Sequence, residues 1–95
     1  MEHFRTPSLL NVNICGFLNI VDPWELMHWI TKKILAGSQL TATAVYMGKS
    51  ISGKLKPHSI DRTQVELTRT CLVDLLTVEG TFTFNCKHLI DITTL

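Results

Sequence analysis

Residues 22–37 read DPWELMHWITKKILAG and residues 40–55 read LTATAVYMGKSISGKL; together these stretches decide the fold class. The first opens with a helix-start signal. Asp22 can accept from free backbone N–H groups, Pro23 stands at the first helical position where no N–H is missed, and Glu25 falls three residues after the cap. A helix is expected from Pro23 to about Leu35, stopping at Gly37. At about 100° per residue, Met27, Ile30 and Ile34 share one face with Leu26 at its flank, and Trp29 projects roughly opposite, among Glu25, Lys32 and Lys33. In the second stretch the period changes to two. Thr41, Thr43 and Val45 alternate with Ala42, Ala44 and Tyr46; Gly48-Lys49-Ser50 reads as a turn; Ile51 to Leu55 reads as a strand with Gly53 inside it.

Working outward, the chain is β on both sides of the helix. Residues 1–8 are polar and read as a loose terminus. Across residues 9–20, Leu10, Val12, Ile14, Gly16, Leu18 and Ile20 share one parity, which predicts a single half-buried strand with a bulge or close backbone approach at Gly16. On the C-terminal side, Lys56 to Thr63 is a loop holding Pro57. Val65 to Val78 reads as a long strand, with Val65, Leu67, Cys71, Val73 and Leu75 on one parity. Glu79-Gly80 is a hairpin turn, and Thr81 to Cys86 and Leu89 to Thr94 are the last two strands. One helix followed by about five strands predicts a single, mainly β domain: a small, strongly bent sheet or barrel. A ferredoxin-like sandwich would need a second helix at Leu72 to Leu76, where Thr68, Thr70, Thr77 and Val78 favour strand.

Composition narrows the function. The 95 residues are 45% hydrophobic and 18% charged with a net charge of +1, which excludes whole-chain disorder. The longest apolar-rich run, Leu9 to Ile20, is interrupted by Asn11, Asn13 and Asn19 and is too short to span a bilayer. The start, Met1-Glu2-His3-Phe4-Arg5, lacks a basic leader region. The expectation is a soluble, cytoplasmic protein with no membrane partner. Cys15, Cys71 and Cys86 are odd in number without C-x-x-C spacing, and read as three small buried hydrophobes. His3, His28, His58 and His88 are scattered, so neither metal nor cofactor is expected.

Catalytic arrangements are lacking too. The eight acids are spread singly, and Gly48-Lys49-Ser50 is no phosphate loop because Thr43 stands where its first glycine belongs. Cys86 and His88, two apart on one expected strand, would share a face but have no third orienting group. A non-enzymatic role is expected. Lys49, Lys54, Lys56 and Arg62 fall within residues 49–62, which hold one acid, Asp61; Lys87 and His88 add positive character further on. Such clusters attract phosphates and release counterions.

Four elements occur in order: Asp22-Pro23-Trp24, the apolar-x-Gly-x-apolar strand Ile51-Ser52-Gly53-Lys54-Leu55, Asp61-Arg62-Thr63-Gln64-Val65-Glu66-Leu67, and Phe84-Asn85-Cys86-Lys87-His88-Leu89-Ile90. Over roughly residues 22–95 they resemble the Sm-like family, most of all its bacterial Hfq branch. The departures are a longer 56–63 loop, a longer hairpin at Gly80, Cys86 in place of an aromatic residue, no Arg-Gly motif, and the extra strand at 9–20. The resemblance implies a five-stranded SH3-like barrel behind an N-terminal helix. It also implies edge-to-edge rings of about five to seven subunits, closed through the open last strand Leu89 to Leu95, and single-stranded RNA (or DNA) held near the pore. Carried over residue by residue, Gln64 offers its amide to a base, Asp61 orders that loop, and Lys87 and His88 meet phosphate or base edges. Lys54, Lys56 and Arg62 supply further positive charge. The competing expectation is a protein-interaction or assembly module of the same shape, in which strand 9–20 and Trp29 bind a partner.

Overall fold

The computed structural model describes residues 9–58 and 71–95. It is mainly β. Strands β1 (Leu10–Ile14) and β2 (Phe17–Val21) precede the helix α1 (Pro23–Leu35); then follow β3 (Leu40–Tyr46), β4 (Lys49–Pro57), β5 (Leu72–Thr77), β6 (Gly80–Asn85), a 3-10 turn at Cys86–His88 and β7 (Leu89–Thr94). The seven strands form one sheet in the order β2-β1-β7-β3-β4-β5-β6. All neighbours are antiparallel except β1 and β7, which pair in parallel through Asn13–Asp91 and Ile14–Ile92.

The helix forms as its local sequence dictates. Asp22 is the N-cap, and its Oδ1 accepts from the Glu25 N–H at 2.8 Å. At the other end the Ala36, Gly37 and Ser38 N–H groups donate to Lys32, Ile34 and Lys33 carbonyls, and Gly37 takes φ +92°. Leu26, Met27 and Ile30 are buried, and Ile34 packs at the core's margin. Trp29 also packs partly against the core, with the Lys33 ammonium 5.7 Å from its ring, so it is less outward than the helical angle predicts. The sheet's inner face supplies the rest: Leu10, Val12, Leu40, Ala42, Ala44, Leu55, Val73, Leu75, Leu89 and Ile92 are buried with the helix residues. Each of the buried Leu, Val, Ile and Met side chains contributes about 1.5–3 kcal/mol of transfer free energy, and each alanine methyl about 0.8 kcal/mol.

Several expectations are corrected. Residues 9–20 are not one strand. Cys15 and Gly16 both take positive φ, 51° and 91°, and turn the chain in two residues. The turn inverts the parity, so Leu18 and Ile20, which read as part of the buried set, face outward beside Asn13 and Asn11. Lys49 and Ser50 belong to β4, the turn being Met47-Gly48 at φ 51° and 77°. β4 runs on to Pro57. Cys86 leaves the strand for the 3-10 turn. Two strands therefore precede the helix where one was expected, and with the five that follow it the sheet has seven strands among the described residues. β7 is not an open border: β3 holds one of its edges and β1 the other, where the Cys15 N–H also donates to the Ile92 carbonyl at 2.8 Å. The expected strand before Cys71 and the loop residues Asp61, Arg62 and Gln64 lie outside the described residues.

The sheet curls. Phe84 of β6 and Tyr46 of β3 have ring centroids 5.9 Å apart, although β4 and β5 stand between their strands. Four flat strands at about 4.8 Å spacing would hold them about 14 Å apart. Gly53 permits the tight approach of β4 and β5. A Cβ there would lie 2.5 Å from the Leu76 carbonyl oxygen and 2.9 Å from its carbon, both backbone atoms that cannot swing away. Gly53→Ala is therefore expected to cost about 1–3 kcal/mol and lower the melting temperature by several degrees. A variant melting with the wild type by circular dichroism would show that this approach is not needed.

Candidate nucleic-acid interface

Tyr46 ends β3 on the parity of its buried residues, Leu40, Ala42 and Ala44, but emerges half-exposed because the strand outruns the core. His88 closes the 3-10 turn, one residue before β7 begins opposite Ala44. The two rings meet edge to face, centroids 5.0 Å apart at 88°. Phe84 completes the group, 6.5 Å from His88 and tilted against Tyr46. A quadrupole favours such edge-to-face packing. The 3-10 turn is pinned from both sides: Asn85 Oδ1 accepts from the Lys87 N–H at 3.0 Å, and the Cys86 N–H donates to the Cys71 carbonyl at 2.7 Å. Lys87 is exposed beside His88, and Lys49 pairs with Tyr46 across the β3–β4 hairpin. Exposed Met47 tops that hairpin.

Lys54 and Lys56 stand elsewhere. With Ser50 and Ser52 they line the outward face of β4, opposite Thr41 and Leu76 and opposite Asp74 respectively. There the Asp74 carboxylate is already engaged. Thr83 donates to Oδ1 at 2.7 Å, and His58 Nδ1 lies 3.0 and 3.2 Å from Oδ1 and Oδ2, donating as the Nδ1–H tautomer. Thr43 and Ser52 hydroxyls share a further bond of 2.8 Å on this face. The predicted residues are thus divided: His88 joins the aromatic group, with Lys87 exposed one residue before it in the turn, while Lys54 and Lys56 join a polar face that includes a carboxylate. Asp61, Arg62 and Gln64 fall outside the described residues.

The sequence did not single out Tyr46 and Phe84 as site partners; Tyr46 is half-exposed and Phe84 is buried. Nor did it single out the His58–Asp74–Thr83 set, which becomes visible only when the β4–β5–β6 register is known. Lys56, Asp74 and Thr83 are successive cross-strand neighbours in that register.

Cys86 and His88 do not share a face. In the 3-10 turn Cys86 points inward, fully buried, while His88 looks toward Tyr46. Burial pushes the Cys86 thiol up to about 12, with neighbouring Cys71 adding to the effect, and burial raises Cys71 as well. Cys15, in contrast to the expectation of three buried thiols, is exposed, and its hydrogen bond with Thr94 lowers its pKa. Among the described residues no group of three metal-ligating side chains occurs, and no helix is long and apolar enough to cross a membrane. No family model, no curated protein and no solved structure matches this chain.

Alkylation of the native protein at mildly alkaline pH is expected to modify Cys15 first, with Cys86 reacting about a hundredfold or more slowly. In denaturant all three thiols should react together. Native labelling of Cys86 as fast as Cys15 would contradict the buried, protonated thiol described above.

Proposed function

We propose that this chain is a non-enzymatic, single-stranded nucleic-acid-binding protein built on a divergent Sm-like small barrel, with RNA as its ligand. The observation that carries the reading is the Tyr46–His88–Phe84 group, with Tyr46 half-exposed and Lys87 and Lys49 at its rim. Unstacked bases bind to exposed aromatic faces, and neighbouring cations hold the phosphates. His88, matched with Lys87 to the Lys-His motif by resemblance, lies in this group, and Lys87 is its exposed neighbour in the 3-10 turn. The strand order β7-β3-β4-β5-β6, with a 3-10 turn between the last two in sequence and a helix ahead of the first, supports the barrel part of the reading. So does the curl that sets Phe84 beside Tyr46.

In this reading a base lies against Tyr46, and Lys87 contacts its phosphate. His88 offers a ring nitrogen to the base edge. Lys54 and Lys56 act as a secondary, outward-facing source of positive potential, weakened by the adjacent Asp74. Asp61, Gln64 and Arg62 keep the roles the resemblance gives them, on the segment joining β4 to β5. The ring of five to seven copies is not carried into the proposal in its expected form, because the β7 edge that was to close it is occupied by β1.

A fluorescence titration with labelled oligo-U and oligo-A tests the proposal. Binding is expected at low salt and should weaken steeply as salt rises. Lys87→Ala with His88→Ala, and separately Tyr46→Ala, should each weaken it about tenfold. No binding at low salt, or affinities untouched by these substitutions, would overturn the assignment.

A further inference from the structure

Among the described residues, the β1–β2 hairpin leaves the outer edge of β2 unpaired. β2 reads Phe17-Leu18-Asn19-Ile20-Val21 and is a terminal strand of the sheet. Phe17, Leu18 and Ile20 are 76%, 70% and 65% exposed, and they emerge on both faces. Proteins usually guard such an edge with lysine, proline or a bulge. β2 has none of these; its register with β1 is unbroken over all five residues, and Pro23 comes only after the strand has ended. It carries no charged side chain to attract a polyanion.

We infer that β2 is a self-pairing edge that joins two copies of this chain across a two-fold axis through Asn19. The strand is complementary to itself in the antiparallel sense. With Asn19 opposite its own mate, Leu18 faces Ile20 of the second copy and Phe17 faces Val21, so each face sets apolar side chains against apolar ones and no charges oppose. The hydrogen-bonding parity agrees. The two-residue turn closes on Ile14 and Phe17, so Phe17, Asn19 and Val21 direct their backbone groups toward β1. Those of Leu18 and Ile20 point to the free side. In the proposed register these two residues make the hydrogen-bonded pairs, and Asn19 sits at the non-bonded pair on the axis. The contact is isologous and closes at two copies, unlike a head-to-tail contact, which builds rings or filaments. It does not depend on nucleic-acid binding, since Tyr46 and His88 lie in other elements.

Light scattering of the full chain at high micromolar concentration should give the mass of two copies. A monomer mass, or a mass of five to seven copies, overturns the inference. Leu18→Lys with Ile20→Lys places lysines opposite one another in this register. It should yield a monomer with the wild-type circular dichroism spectrum, and a persistent dimer overturns the assignment of the edge. Asn19→Cys in a Cys15→Ser background tests the register independently of that variant's folding. A non-bonded antiparallel pair holds its Cα atoms about 4.5 Å apart, within disulfide range. Mild oxidation should therefore give a covalent dimer that runs at twice the monomer mass until reduced. Failure to cross-link overturns the two-fold register.

Discussion

The structure depends on how closely β4 and β5 can approach. At Gly53 the Leu76 carbonyl occupies the space any side chain would need. Without that approach the sheet could not curl tightly enough to bring β6 back toward β3. Three consequences follow from the curl. Phe84 reaches Tyr46, the 3-10 turn spans from β6 to the end of β3, and His88 lands edge-on against Tyr46. One absent methyl group thus links the path of the backbone to a place where aromatic and basic side chains meet.

The hairpin at 10–21 changes what the remainder of the sheet can do. By pairing with β7 it covers an edge that would otherwise present unsatisfied N–H and C=O groups. The exposed border is thereby moved outward to β2, where the side chains are apolar on both faces. The parallel attachment to β7 is short, two register pairs and the Cys15–Ile92 hydrogen bond, whereas the hairpin itself is fully paired. The hairpin reads as an added arm on a five-strand unit, and its free edge faces away from the Tyr46 group in the order of strands.

Much of this was legible locally, and the rest was not. The helix was readable to the residue because capping is a short-range matter of Asp22, Pro23 and Gly37. The alternation of β3 and the apolar parity of β5 were readable because both lie on straight alternating runs. The turn at Cys15-Gly16 escaped because Leu18 and Ile20 continue the apolar alternation of Leu10, Val12 and Ile14 as if no turn intervened. Cys-Gly is also a weaker turn signal than Asn-Gly. Lys87 and His88 could be named from their motif. Their partner Tyr46 could not, because its contact with His88 exists only after the sheet has curled. Lys54 and Lys56 were grouped with them by nearness in sequence to other cations, but strand parity sends them to the outer face.

The central claim is that the curl creates a single aromatic and basic contact surface for nucleic acid. Residue-resolved NMR of the labelled full chain titrated with oligo-U tests it most directly. The account predicts ring-to-ring cross-peaks between Tyr46 and His88 in the free protein. On titration, shift changes should concentrate on Tyr46, Phe84, Lys87 and His88, with Lys54 and Lys56 moving little. Missing cross-peaks, or shifts confined to the outer face of β4, would contradict it.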